Sequence, residues 1–255
     1  MKKILFIIDK IELKYFEFNN LVTNFWLIKE LLERKNEVYI TTIPNLSLRG
    51  GRAYTNCFES FLSDNNIFYK DVKILKEIND LVMFRPDPPV DIDYINATYI
   101  FDFVTKPKVV NSPRAIRDFN EKLHSVYFKD LMSDNIVTAS LSDIENFLAV
   151  NKQIVLKPLN RCFGSGVMYL YEGDPNTRTI INTMTNNETT LVMVQQFIPA
   201  VKKGDKRVLT LGDKVLKYCV RKLPSNDDFK FNTHNDNYIT AAELSEEEFS
   251  AFSKV

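Results

Sequence analysis

The stretch Lys3-Ile-Leu-Phe-Ile-Ile8 constrains the fold more than any other. It is short, apolar and rich in β-forming residues, the pattern of a strand buried on both faces. Leu21 to Arg34 follows with apolar side chains at helical spacing (Leu21, Phe25, Ile28, Leu31 and Leu32), and Glu37 to Thr42 returns to strand character. Strand, helix, strand is a βαβ unit, which predicts a parallel sheet at the N-terminus. The apolar run stops at Asp9 and no small-residue cleavage site follows, so it is not expected to be a secretory signal. No later stretch approaches the ~20 apolar residues of a membrane helix.

Beyond this unit, Leu48 to Thr55 is polar, with Arg49, Gly50, Gly51 and Arg52, and is expected to be a surface loop. Leu81 to Phe84 is an apolar strand, broken by Arg85-Pro-Asp-Pro-Pro89. Tyr94 to Val104 suits a helix, Lys108 to Val110 a strand, and Pro113 opens a helix expected to run to about Phe128. The pattern changes near residue 120. Ser142-Asp-Ile-Glu145 has the spacing of a capping box and predicts a helix start. Ile154 to Pro158, Val167 to Tyr171 and Thr189 to Ile198 read as strands. Arg207 to Leu211 and Val215 to Arg221 form a hairpin across Leu211-Gly-Asp-Lys214. The alternation is antiparallel, so two domains are expected, 1–120 and 121–255.

Charge excludes some functions. Lys plus Arg and Asp plus Glu both number 33, which offers neither a nucleic-acid surface nor a polybasic membrane patch. Cys57, Cys162 and Cys219 are far apart and form no metal-ligand spacing, as expected of a protein of the reducing cytoplasm. His124 and His234 have no partners for base catalysis.

Four other features carry possible chemistry. Arg85 directly follows an apolar strand, where an open sheet binds ligands, but it could equally be a surface arginine in a proline-rich turn. Lys157 is a charge inside an apolar strand, followed by Asn160-Arg-Cys-Phe-Gly-Ser-Gly166, a loop of the kind that covers phosphates. An outward-pointing lysine on an edge strand is the plainer reading. Lys122 reads as a solvated helical lysine. Gly204-Asp-Lys-Arg207 could address ribose and phosphate, or form an ordinary charged turn.

Taken in series, seven segments narrow these readings. They are Arg85-x-Asp-Pro-Pro89, Asn111-Ser-Pro-Arg-Ala-Ile-Arg-Asp118, Asn120-Glu-Lys-Leu123, Leu156-Lys-Pro-Leu159, Glu172-Gly-Asp-Pro-Asn176, Gln195-x-Phe-Ile-Pro199 and Gly204-Asp-Lys-Arg-Val-Leu209. The series resembles bacterial glutathione synthetase, of the ATP-grasp superfamily. The resemblance implies an α/β chain: a parallel-sheet domain that precedes an incomplete, α+β ATP-grasp domain. It implies ligation of γ-glutamylcysteine and glycine through an acyl phosphate, with ATP as co-substrate and Mg2+ or Mn2+ in the complete enzyme. It also implies a cytoplasmic protein, homo-oligomeric when complete, with no nucleic-acid or membrane partner.

By the same resemblance Lys122, Lys157, Gly164, Gly166, Gln195, Gln196, Ile198 and Asp205 bind ATP. Arg207, Lys230 and Asn232 act in catalysis, and Arg85 holds the peptide. The sequence also departs from the family. The phosphate-covering loop, usually Asp-Gly-x-Gly-Gly, here has Arg161 and Phe163 in place of two glycines, which is expected to hinder its closure. A second loop lacks glycine and has Lys230 in place of arginine. The family's late Asp and Glu-x-Asn metal ligands have no counterpart after Asn232, so no metal ligand is expected in this chain, which alone is expected to make no glutathione. A catalytically defective nucleotide- or peptide-binding protein, or a ligase of other substrates, are the alternatives.

Overall fold

The computed structural model describes residues 1–8, 23–70, 73–87, 89–105, 108–162, 164–223 and 239–253. They form two units, Met1–Asn120 and Glu121–Val255, each with its own sheets.

In the first unit the apolar N-terminal run is strand β1 (Lys3–Ile8), followed among the described residues by helix α1 (Thr23–Glu33) and β2 (Glu37–Thr42). Side chains of β1 alternate between two cores. Ile4, Phe6 and Ile8 pack with Phe25 and Ile28 of α1, while Leu5 and Ile7 share the opposite face with Tyr94, Ala97 and Phe101. A strand can be apolar at every position only if both faces are covered. Each such side chain contributes roughly 1.5–3 kcal/mol on burial, enough to offset the ordering of its own backbone at about 1–2 kcal/mol.

Further along come β3 (Leu46–Arg49), β4 (Arg52–Ser63), β5 (Asn66–Tyr69), β6 (Ile74–Glu77) and β7 (Leu81–Phe84). Helix α2 (Ile92–Ile100), strand β8 (Val109–Val110) and helix α3 (Pro113–Asp118) complete the unit. Strands β2, β1, β7 and β8 pair in parallel, with β1 between β2 and β7. Strand β4 then extends the sheet antiparallel from β2 and carries β3, β5 and β6.

The loop expected at Leu48–Thr55 is therefore a hairpin. Gly50 and Gly51 have φ of 56° and 74°, the left-handed conformations that a tight two-residue β-turn requires, and Arg49 faces Arg52 across it. Asp64 and Asn65 turn the chain in the same way, at φ 49° and 63°. Two helices also end earlier than expected. Helix α2 begins on the Asp91 cap and gives way to a 3-10 turn at Phe101–Phe103. Helix α3 stops at Asp118, and the residues toward Phe128 belong to a separate 3-10 turn, His124–Leu131.

The second unit opens with β9 (Asn135–Thr138), α4 (Leu141–Asn151), β10 (Gln153–Pro158), β11 (Met168–Tyr171), α5 (Thr177–Met184) and β12 (Val192–Gln196). The cap of α4 is Ser140, whose Oγ accepts from the Asp143 amide at 3.2 Å, and not Ser142. Two serines two residues apart both have capping chemistry; the earlier one is used. The strands form an antiparallel sheet in the order β11-β10-β12-β9. Ile154, Leu156, Leu170, Val192 and Val194 fill one face with Ile144, Leu148 and Ile181 of the helices. Because strand side chains alternate, Val155, Lys157 and Gln195 occupy the other face.

A second layer holds β13 (Asp205–Arg207), β14 (Thr210–Leu211), β15 (Lys214–Val215), β16 (Tyr218–Lys222), β17 (Ile239–Glu243) and α6 (Glu246–Phe252). The expected hairpin turns at Gly212-Asp213, but its ladder is in two pieces, β14 with β15 and β13 with β16. Helix α6 opens on a capping box: Ser245 Oγ accepts from the Glu248 amide, and Glu248 Oε2 accepts from the Ser245 amide.

Candidate active site

Among the described residues of the second unit, a pocket of about 410 Å³ opens on the polar face of the β10–β12 sheet. Its size suits a small-molecule ligand. Val155, Val167, Ile198, Ala200 and Val201 supply apolar walls, and Lys157, Gln195, Gln196 and Asp205 supply polar groups. A flat apolar slot with polar groups at its margin can take a heteroaromatic base and direct charged groups toward the lysine.

Lys157 is pinned within this pocket. Its Nζ donates to Gln195 Oε1 at 2.6 Å, across the β10–β12 register in which Val155 faces Gln195. Burial, and then the charge of Lys122, hold its pKa below the ordinary 10.5. Lys122 lies outside the pocket lining; its Nζ donates to the Arg161 carbonyl oxygen and pairs with Glu121 at 2.8 Å. Two lysines that raise the local positive potential beside an open pocket can attract an anion, although Lys122 is already paired with Glu121.

The turn 204–207 completes the margin. Gly204 has φ 101° and ψ 169°, a conformation essentially confined to glycine. A Cβ there would stand 2.5 Å from the Lys222 carbonyl oxygen. Gly204→Ala is therefore expected to cost about 1–3 kcal/mol, read as a lower midpoint in thermal unfolding and weaker nucleotide binding. An unchanged midpoint would show that the turn relaxes freely.

Alternation along β13 separates its side chains. Lys206 reaches Glu248 of α6 at 2.7 Å, so Asp205 and Arg207 share the other face. Arg207 is exposed and does not line the pocket, and among the described residues it has no acidic partner. Lys222 is the register partner of Asp205 and is buried, a cation that sequence reasoning missed. Its strand shows no polar alternation that would have marked it.

Of the other expected residues, Gly164 lines the pocket while Gly166 packs beside Pro158 and Arg161. Lys230, Asn232 and Phe163 lie outside the described residues. The apolar wall residues Val155, Val167, Ala200 and Val201 were not anticipated; nothing in their local sequence distinguishes them from core.

In the first unit Arg85 stands at the carboxyl end of β7. Its Nε donates to Asn24 Oδ1 at 3.0 Å, and its amide donates to the Ile7 carbonyl at 2.9 Å. Asn24, at the start of α1, is only 5% exposed. Asn111 Nδ2 donates to the Phe84 carbonyl at 2.8 Å, fixing the end of the same strand from β8.

Comparison with known proteins places both units. Residues 2–117 match the family described as prokaryotic glutathione synthetase, N-terminal domain, and residues 121–255 match prokaryotic glutathione synthetase, ATP-grasp domain. The glutathione synthetase of Buchnera aphidicola is 34% identical over 218 residues, which are 82% of this chain and 68% of that protein. That of Neisseria meningitidis is 32% identical over 243 residues, covering 91% and 75%. Among solved structures, D-cycloserine synthetase DcsG is similar with a TM-score of 0.64 at 11% identity, covering 98% of this chain and 78% of that one. D-alanyl-alanine synthetase A of Vibrio cholerae is similar with a TM-score of 0.58 at 10% identity, covering 99% and 78%. The structural likenesses concern the fold alone; sequence identity across most of the length, with both domains matched in order, shows that the chain belongs to the prokaryotic glutathione synthetase family.

Proposed function

We propose that the protein is a glutathione synthase, an ATP-dependent ligase that joins γ-glutamylcysteine to glycine. The observation that carries this reading is the ordered match of both glutathione synthetase domains along one chain. In the reaction the cysteinyl carboxylate attacks the γ-phosphorus of ATP, releasing ADP and leaving an acyl phosphate. The glycine amine then attacks the acyl carbon, and phosphate departs.

The pocket's apolar walls take the adenine, with Gln195, Gln196 and Ile198 along its rim. Asp205 faces the ribose. Lys157 and Lys122 neutralise the phosphates, and Arg207, on the same strand face as Asp205, meets the charge on the transferring phosphoryl group. Such transfers are accelerated mainly by positioning and charge stabilisation, which fixed cations supply without reorganising. Arg85 holds a carboxylate of the dipeptide. Lys230 and Asn232 complete the set.

Mg2+ or Mn2+ belongs to this reading, and when bound it would supply positive charge to offset the negative charge of the nucleotide phosphates. Among the described residues no three His, Cys, Asp or Glu side chains cluster to hold one, so no step is routed through it here. Cys57, Cys162 and Cys219 are free thiols, in keeping with a reducing cytoplasm. No described helix is long and apolar enough to cross a membrane.

The test is phosphate release from ATP, followed together with product mass. Release that depends on both γ-glutamylcysteine and glycine, with glutathione as product, is the expected result. Release that depends on D-alanine or glutamate instead would overturn the substrate assignment.

A further inference from the structure

The loop that follows Lys157 carries a cation, Arg161, where the related family usually has a glycine. Its positive φ angles fall on Gly164, at 70°, and Gly166, at 72°, and not on Arg161. Among the loop's described residues the positive φ angles therefore fall on glycine alone, and Arg161 is in a conformation open to any residue. Its side chain lies against Gly166: a Cβ at that glycine would be 3.5 Å from Arg161 Nη1 and 3.6 Å from Cδ. Its carbonyl oxygen accepts from Lys122 Nζ.

Several other arginines have carboxylate partners, although Arg85 and Arg207 have none among the described residues. Arg34 pairs with Glu30, Arg52 with Glu77, Arg117 with Asp102 and Arg178 with Glu145. Arg161 has none among the described residues, although the whole chain carries as many acidic as basic side chains. It stands instead beside Lys122, whose nearest carboxylate is Glu121, and on the loop whose Gly164 lines the pocket together with Lys157. Three cations thus meet two carboxylates, Glu121 and the pocket's Asp205, and the excess positive charge is one that a polyanion would relieve.

We propose that Arg161 is a phosphate-binding residue of this enzyme, a third cation that joins Lys122 and Lys157 around the phosphate chain of the bound nucleotide. The proposal rests on reading the pocket as the ATP site. A guanidinium offers a planar fork of donors suited to phosphate oxygens, which an ammonium does not. Arg161 also ties the loop to Lys122 through its own carbonyl, so one residue positions a lysine with its backbone and contributes charge with its side chain.

Binding of ATP and of adenosine by the wild type, Arg161→Gly, Arg161→Lys and Lys157→Ala tests this by titration calorimetry and competition, across a series of salt concentrations. Arg161→Gly is expected to weaken ATP about tenfold, the worth of one charge-assisted hydrogen bond, while adenosine binds as before. Its ATP affinity should also fall less steeply with salt than the wild type's. Arg161→Lys should recover part of the loss. ATP binding by Arg161→Gly as tight as the wild type's, or tighter, overturns the proposal, as does an equal loss for ATP and adenosine. If Lys157→Ala binds ATP normally as well, the pocket itself has been misread; if only Lys157→Ala loses ATP, Arg161 alone is wrong.

Discussion

Lys157→Ala is expected to lose roughly 30-fold to several thousand-fold in ATP affinity, on the order of 2–5 kcal/mol, the usual cost of truncating one partner of a desolvated charge pair. The lysine is half-buried on β10 and oriented by Gln195 at 2.6 Å. Burial and Lys122 together disfavour its charge in the free protein. Phosphate reverses both effects: it pairs with the ammonium and screens it from Lys122. A pH series gives a second readout. The folded pKa lies below the ordinary 10.5, so between the two values the unfolded chain binds more protons, and the ligand-free protein gains stability as pH rises through that interval. Lys157→Met should abolish this gain. ATP affinity of the wild type should fall in the same interval, because the phosphates need the protonated lysine. Nucleotide affinity unchanged in Lys157→Ala would falsify the placement.

The two lysines differ in how far sequence alone could carry them. Lys157 stood out as a charge in an apolar strand, yet its plainer reading was an outward-pointing lysine on an edge strand. Strand β10 lies instead between β11 and β12, and Lys157 lines the pocket. Its partner Gln195 is 38 residues away, and only the pairing of β10 with β12 brings them together. Lys122 gave no such sign; its place depends on a 3-10 turn and on a contact with Arg161 across 39 residues. The loop departures were read as losses of glycine. Among the loop's described residues the positive φ angles fall on the two retained glycines, and Arg161 adds a charge at a position that needs no positive φ.

A similar distinction runs through the fold. Strand β1 and helix α1 were legible because burial on two faces and on one stripe leave different periods. Strands β3 to β6 were not, since Gly50-Gly51 and the flanking arginines have the composition of a loop. Their sheet is held by β4, whose Ala53, Thr55 and Cys57 are buried in alternation, a pattern of small and polar residues without a hydrophobic signature. Cys57, fully buried, has its thiol pushed up to about 11, mainly by burial. It packs in the core and has no chemistry to offer at neutral pH.

Arg85→Ala is expected to raise the KM for γ-glutamylcysteine by roughly 30-fold or more, since a carboxylate bound by a guanidinium fork is worth 2–5 kcal/mol when its partner is truncated. The reason lies in how the side chain is held. Strand β7 ends at the open edge where parallel sheets bind ligands, and three separate groups fix that end. The Arg85 amide is bonded to Ile7, Asn111 holds the carbonyl of Phe84, and the Tyr94 hydroxyl donates to the carbonyl of Pro86 at 3.3 Å. Asn24 then takes the Nε, which leaves the two Nη nitrogens as the groups unclaimed by described residues. A bidentate carboxylate needs a pair of donors held in one plane. Arg85→Lys should therefore restore little, because a lysine has neither the Nε that Asn24 holds nor the fork. Asn24→Ala should give a smaller rise in the same KM, by about 5-fold to 10-fold, the worth of one ordinary hydrogen bond that only positions the guanidinium. The pocket proposed for the nucleotide is built from residues of the second unit, so the KM for ATP should stay at its wild-type value in all three variants. Weakened ATP binding with an unchanged dipeptide requirement would reverse the assignment of Arg85, and make it part of the nucleotide site.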